Sequence, residues 1–232
     1  MLIKNNNKRK FFLVGANVES FDDCTLKVVE IFYKSDCIIV SSNASKSFIE
    51  KLKKIHYRIY FENDLKINHL NYRQFILDLF EINNTITQVR DGDPIFFNDG
   101  MSDYNFFSKE GVEVNIESGL LEFLNILNKN YIPITDRKIN SSVEFISLKG
   151  NNLLNGHLNR KHFAKKIIHI KSKKNIDLIF ESLYQYLRTW KITFIINKKL
   201  INFSREDNNN LLKALKNTVS NAYLLIEKNE KI

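Results

Sequence analysis

The sequence predicts an α/β protein of two domains, a mostly parallel five-stranded sheet with flanking helices followed by a second, mixed sheet with its own helices. Three observations predict it. Phe11-Phe12-Leu13-Val14 and Cys37-Ile38-Ile39-Val40 are unbroken apolar runs, the pattern of strands buried on both faces. Amphipathic helical stretches alternate with such runs through the first half of the chain. The character then shifts across 131–142, which holds Pro133, one of only two prolines. The expected organisation is a polar, disordered tail over 1–10, an N-terminal α/β domain over 11–134 and a C-terminal α/β domain over 135–232.

In order, the first strand ends at Gly15, and 25–33 reads as a helix with Leu26 and Val29 on one stripe. A second strand over 37–40 leads to a helix over 45–55. The third strand is 57–61, and the third helix, 69–81, carries Phe75, Ile76, Leu79 and Phe80. The fourth strand is 85–90. A short helix near 101–109, a fifth strand over 112–116 and a helix over 119–129 complete the domain. Beyond the boundary the pattern gives strands at 143–148, 166–170, 192–196 and 222–226. Helices are expected at 176–187 and 207–216, and a polar loop at 149–159. No repeat of fixed period occurs.

The fourth strand runs into Asp91-Gly92-Asp93-Pro94. Gly92 lacks a Cβ, so a positive φ or a close approach by ligand or backbone is open to it. Pro94 fixes its own φ and biases Asp93 towards an extended conformation. The result is a stiff elbow at the carboxyl end of a strand, which is where open α/β sheets bind ligands.

Bulk properties limit the function classes. With 232 residues and 44% hydrophobic content the chain can bury a large core. Cys24 and Cys37 are its only cysteines, too few for a disulfide framework, and neither has metal-ligand spacing. No apolar run is long enough to span a membrane, so a soluble, cytoplasmic protein is expected. The net charge of +9 points to an anionic partner. Lysine, asparagine and isoleucine are abundant while glycine (7) and proline (2) are scarce, the profile of an AT-biased coding sequence, so basicity alone carries little.

Five stretches together resemble the tetrapyrrole methylase family. Phe12-Leu13-Val14-Gly15-Ala16 with Thr25-Leu26-Lys27 is similar to its opening strand, loop and helix. Ser35-Asp36-Cys37-Ile38-Ile39-Val40 is similar to its second strand, and Val89 to Phe97 to its Gly-Gly-Asp-Pro signature. Residues 111–137 run without a gap against its second glycine turn and its Ile-Pro-Leu-Thr-His-Arg segment, here Ile132-Pro133-Ile134-Thr135-Asp136-Arg137. Ser141-Ser142-Val143-Glu144-Phe145 matches the strand that opens its second domain. The resemblance implies S-adenosylmethionine in a cleft between two α/β domains and C-methylation of an anionic tetrapyrrole, uroporphyrinogen III, by a cytoplasmic homodimer. It places Asp91, Gly92, Asp93, Phe96, Leu121 and Lys171 at the cofactor and Arg137 at a substrate carboxylate. No metal and no membrane partner is expected, and nucleic acid is a disfavoured partner. For Asp93 the alternative is a cap on the following turn, and for Arg137 an ordinary salt bridge between domains.

The departures sit at the chemistry. The family's first glycine loop reads Asn17-Val18-Glu19-Ser20-Phe21, and Ser41 stands where the family has an aspartate proposed as proton acceptor. Asp99 replaces an arginine after the elbow, and Asp136 replaces the histidine of the Thr-His-Arg segment. Ile170-Lys171-Ser172 and Asn197-Lys198-Lys199 replace glycine-bearing contacts in the second domain. No catalytic residue is assigned. A catalytically degenerate protein that uses the fold for binding or dimerisation is the alternative. The five histidines, His56, His69, His157, His162 and His169, share no metal spacing and read as surface or capping residues. Lys165, Lys166, Lys171, Lys173 and Lys174 read as a solvated rim, and Trp190 as a core or interface residue.

Overall fold

A computed structural model describes residues 8–64, 72–135, 142–148, 165–170, 176–184, 186–187, 190–196, 199–204, 208–217 and 222–228. The chain forms two compact units, Met1–Glu122 and Phe123–Ile232. The sequence reading drew the division later, within 131–142. Phe123, at the start of the second unit, packs its ring 6.0 Å from that of Phe145 and 5.2 Å from that of Tyr223.

The first unit is built on β1 (Lys10–Ala16), β2 (Cys37–Val40), β3 (Ile59–Phe61), β4 (Thr85–Asp91) and β5 (Glu113–Glu117). All are parallel, in the order β3-β2-β4-β1-β5. Successive side chains of a strand point to opposite faces, so each apolar run fills two cores at once. Phe11, Leu13, Cys37 and Ile39 pack with Ile76 and Leu79 of α3 (Tyr72–Leu79) and Phe107 of α4 (Gly100–Lys109). On the other face, Val14, Ala16, Ile38 and Val40 pack with Val28, Ile31 and Phe32 of α1 (Leu26–Lys34) and with Phe48 and Leu52 of α2 (Lys46–Ile55). The connections leaving β1 and β4 therefore run to opposite faces, and their strand ends, which are neighbours, border a crevice.

Caps fix where these helices begin. The Thr25 hydroxyl accepts the Val28 N–H at 3.3 Å and Ser45 accepts the Phe48 N–H at 3.1 Å. Ser45 also donates to the Glu19 carbonyl at 2.9 Å, and its N–H to Val18 O, which seats the loop after β1 on the start of α2.

The second unit has β6 (Val143–Leu148), β7 (Lys165–Ile170), β8 (Trp190–Ile196), β9 (Lys199–Asn202) and β10 (Ala222–Lys228), in the order β6-β7-β10-β8-β9. β6 and β7 are parallel and the remaining pairs antiparallel, so the sheet is mixed as expected. Its helices are α5 (Glu122–Lys129), α6 (Ile176–Tyr184) and α7 (Asn208–Asn217). Phe180, Leu183, Leu211 and Leu215 cover one face of the sheet, with Trp190 packed beside them. β9 is absent from the sequence reading. As a four-residue edge strand, Lys-Leu-Ile-Asn, it pairs on one side only and carries little apolar pattern.

Two expectations are corrected. Lys165 and Lys166 are no solvated rim: they are 2% and 0% exposed in β7, an interior strand. Burying an ammonium is tolerated only with a partner, and Lys165 meets Glu227 at 2.7 Å and the Pro133 carbonyl, while Lys166 meets Glu144 at 2.9 Å. His169 is buried and stacks on Tyr223 at 5.1 Å. His56, read as a surface or capping residue, is the cap that ends α2: it is buried, its N–H bonds Leu52 O at 2.9 Å, its Nδ1 accepts the Arg58 N–H at 3.2 Å and its Nε2 lies 2.9 Å from Ser35 O, which fixes Nε2–H as the donor. Lys171, Lys173, Lys174, His69, His157 and His162 lie outside the described residues. No helix among the described residues is long and apolar enough to cross a membrane.

Burial pushes the Cys37 thiol up to about 12, with Asp36 adding to it, and raises Cys24 to about 12, with Asp23 and Asp22 adding. Thiolate is the reactive form, so both cysteines should be inert to a disulfide reagent at pH 8 in the native protein and react fully in denaturant. Since the folded values lie above the ordinary thiol value of 9.0, the two thiols contribute stability that is intact below about pH 9 and lost as pH rises towards 12. Denaturant midpoints measured from pH 8 to pH 11 should fall accordingly, and replacing both cysteines with alanine should flatten that slope.

Candidate functional site

The site is built from main chain before side chains. β1 lies between β4 and β5, with Gly15 in register with Arg90, Ala16 with Asp91 and Val14 with Glu117. Gly92 donates its N–H to the Ala16 carbonyl at 2.8 Å, extending the ladder one residue into the elbow. Gly15, Gly92 and Gly119 then converge. A Cβ on Gly15 would stand 2.2 Å from Gly92 O and 2.4 Å from Gly119 N, and one on Gly119 would stand 2.1 Å from Gly92 O. No side chain fits at either position. Gly92 is glycine for a different reason: its φ is 74°, while the space beside it is open, with Leu121 Cδ2 at 3.9 Å the nearest atom to a Cβ built there.

The elbow's own polar groups lock its shape. Asp93 Oδ1 accepts the N–H groups of Ile95 and Phe96, each at 2.9 Å. Asn98 Nδ2 donates to the carbonyls of Asp91 at 3.1 Å and Asp93 at 2.6 Å, and the Gly100 N–H bonds Pro94 O at 3.0 Å. Between them, Phe97 is held at φ 60° with its ring 4.5 Å from that of Phe96. A left-handed non-glycine residue costs roughly 1–2 kcal/mol, and it persists here because the flanking bonds over-determine the loop.

Behind the elbow lies a group of charges. Arg90, one residue before the β4 terminus, reaches Glu62 Oε1 at 3.2 Å with one arm and Asp103 Oδ2 at 2.6 Å with the other. Arg73 of α3 also pairs with Asp103, at 2.8 Å, and donates to Ser102 at 2.7 Å. Beside them Gln88 donates to the Tyr72 hydroxyl at 2.6 Å. Burial, reinforced by Glu62, raises Tyr72 well above the usual phenol range, so its hydroxyl keeps its proton.

Of the residues placed at a cofactor from the sequence, Asp91, Gly92, Asp93 and Phe96 share the elbow, and Leu121 stands over Gly92. Lys171 and Arg137 lie outside the described residues. Asp93 does serve as a cap, through Oδ1. The loop after β1, which carries no glycine, is closed by Asn17, 4% exposed, whose amide donates to Asp23 at 2.7 Å and accepts the Glu19 N–H at 3.2 Å. The network of Glu62, Arg73, Arg90 and Asp103 is absent from the sequence reading. Its one readable signal was Gln88 and Arg90, two polar residues on the same face of an otherwise buried strand. Among the described residues no three His, Cys, Asp or Glu side chains gather as metal ligands would.

The glycines should separate in a mutant series read by denaturant unfolding. Gly92→Ala should cost about 1–2 kcal/mol, the price of a left-handed alanine in open space. Gly15→Ala and Gly119→Ala should each cost at least ~3 kcal/mol or abolish folding, because main chain must move to admit the methyl.

No family model matches the chain. It is 23% identical over 147 residues to a siroheme synthase of Blochmanniella pennsylvanica, an alignment covering 62% of this chain and 31% of that protein. It is 22% identical over 139 residues, 59% of this chain and 38% of the other, to the chloroplastic S-adenosyl-L-methionine-dependent uroporphyrinogen III methyltransferase of Arabidopsis thaliana. The uroporphyrinogen-III C-methyltransferase of Bacillus subtilis is 23% identical over 143 residues, 60% of this chain and 55% of that one. The chain thus spans about a third of the length of the first two curated relatives. Among solved structures, a cobalt precorrin-4 methyltransferase of cobalamin biosynthesis superposes with a TM-score of 0.74 at 16% identity, over 94% of each chain. The uroporphyrin-III C-methyltransferase of Thermus thermophilus superposes at 0.72 with 14% identity, over 95% of this chain and 94% of that one. By sequence over about 60% of its length in these three alignments and by fold over 94–95% of it, the chain resembles the tetrapyrrole methylases.

Proposed function

We propose that this chain binds S-adenosylmethionine against the elbow and directs its methyl group to a uroporphyrinogen-type tetrapyrrole. The observation that carries this reading is the glycine junction: main chain from three strand ends, packed without side chains, with one open side at Gly92 beneath Leu121. A wall made of N–H and C=O groups binds a ligand through atoms that no side-chain substitution removes. The same elbow is where the sequence resemblance places the cofactor, and a Thermus thermophilus neighbour with a TM-score of 0.67 is a complex with S-adenosylhomocysteine. Lys171 and Arg137 complete the proposed set, Arg137 for a substrate carboxylate. The net charge of +9 suits a substrate bearing many carboxylates.

S-adenosylmethionine supplies an electrophilic methyl on sulfur; the protein's part is to hold it in line with the attacking carbon and to exclude water. A proton must also leave the methylated carbon, and here the residues offer less. Ser41 stands where the resemblance expects a carboxylate, and its hydroxyl accepts the Asn43 N–H at 3.5 Å. A hydroxyl is a poor proton acceptor near neutral pH. That substitution, with Asn17 closing the first loop, favours a second reading in which the fold retains ligand binding without turnover.

Calorimetric titration followed by a methyl-transfer assay with uroporphyrinogen III separates the two. The first reading expects cofactor binding with Kd below about 100 µM, or roughly −5.5 kcal/mol and tighter, and transfer of the methyl. Binding without transfer selects the second. Absence of cofactor binding at that concentration contradicts both.

A further inference from the structure

The charges behind the elbow do more than neutralise one another. Arg90 is the residue through which β4 enters the elbow, and Gly15, its register partner in β1, belongs to the glycine junction. Its two arms run to carboxylates from separate segments, Glu62 just after β3 and Asp103 in α4, the helix that follows the elbow. Glu62 and Asp103 are 7% and 5% exposed. The start of the elbow, the end of β3 and the segment beyond the elbow are thereby tied at one guanidinium. A planar fork suits that duty, since it presents donors in two fixed directions, whereas a lysine ammonium is a single point charge on a flexible stem.

The polar pattern around it is selective. Arg90 Nε and Gln88 Oε1 are buried and have no hydrogen-bond partner among the described residues. A side chain selected for stability alone would be better replaced by an apolar one at this depth, because desolvating a charge offsets much of what its pairing contributes. Each charged arm of Arg90 ends on a buried carboxylate, which fixes where the backbone at the head of the elbow lies.

The geometry points to Arg90 as a positioning residue of the candidate site: its bridge from Glu62 to Asp103 sets the backbone of 91–98 for ligand binding at Gly92. The ligand half of this inference rests on the cofactor reading above, whereas the effect on the backbone stands independently of it.

The test compares Arg90→Met, Arg90→Lys and Leu52→Ala in the full chain. Leu52 is fully buried against α1 and β2, away from the network, and serves as a control for general destabilisation. Hydrogen exchange is followed over peptides spanning 89–99, and affinity for S-adenosylhomocysteine is measured well below each variant's Tm. Arg90→Met should raise exchange in that segment at least tenfold and weaken binding at least tenfold. Arg90→Lys should fall between it and the wild type, because one ammonium cannot hold both carboxylates in the forked geometry. Leu52→Ala should lower Tm while leaving both readouts within about twofold.

Unchanged exchange over 89–99 in a folded Arg90→Met protein overturns the proposal, as does equal loosening by Leu52→Ala. If Arg90→Met does not fold, the comparison of Arg90→Lys with Leu52→Ala decides by the same criteria. If the wild type itself does not bind S-adenosylhomocysteine, the cofactor reading fails on that result, and the exchange arm alone supports or overturns the positioning role.

Discussion

Three main chains meet at the carboxyl ends of β1, β4 and β5 with no room for a Cβ on Gly15 or Gly119. Contacts of 2.1 to 2.4 Å to an imagined methyl leave no tolerance for a shift in register. Much of the first unit follows from that constraint. β1 must lie between β4 and β5, and the Gly15–Arg90 and Val14–Glu117 registers must hold. The connections leaving β1 and β4 must then part to opposite faces, one covered by α1 and α2, the other by α3 and α4. A crevice lined by backbone is the residue of those requirements, and the elbow is its firmest wall.

Side-chain polarity is organised to hold that wall in shape. Asp93 and Asn98 close hydrogen bonds within the elbow, and Arg90 ties its base to Glu62 and Asp103. The strain at Phe97 is the local counterpart of this over-determination. Rigidity of this kind suits recognition by main-chain groups, whose direction is set by φ and ψ and not by rotamers. It also leaves side chains just beyond the strand ends, such as Asn17 after β1 and Ser41 after β2, free to vary without disturbing the glycine junction.

The elements were legible in the sequence wherever burial on two faces wrote an unbroken apolar run, as in 11–14 and 37–40, or where Thr25 and Ser45 marked a helix start. The elbow was legible because glycine and proline are scarce in this chain, so Gly92 and Pro94 stand out against their surroundings. Pairings across long stretches of sequence were not. Lys165 looks like a surface lysine until Glu227, on a strand that pairs with its own, is placed beside it. Arg90 gives no hint of Glu62 or Asp103, since each partner comes from a different element. β9 was missed because an edge strand is stabilised by one neighbour's backbone and needs few apolar side chains. Periodicity reports burial; it does not report which charges burial brings together.

The proposed ligand contact is the main chain around Gly92. Amide chemical shifts followed during titration with S-adenosylhomocysteine test it most directly. The expected result is saturable shifts concentrated at residues 91–96 and 119–121, with α1 and α2 unperturbed. Saturable shifts confined to other residues, or none at ligand concentrations near 1 mM, where even a millimolar Kd of about −4.1 kcal/mol is half saturated, would contradict it.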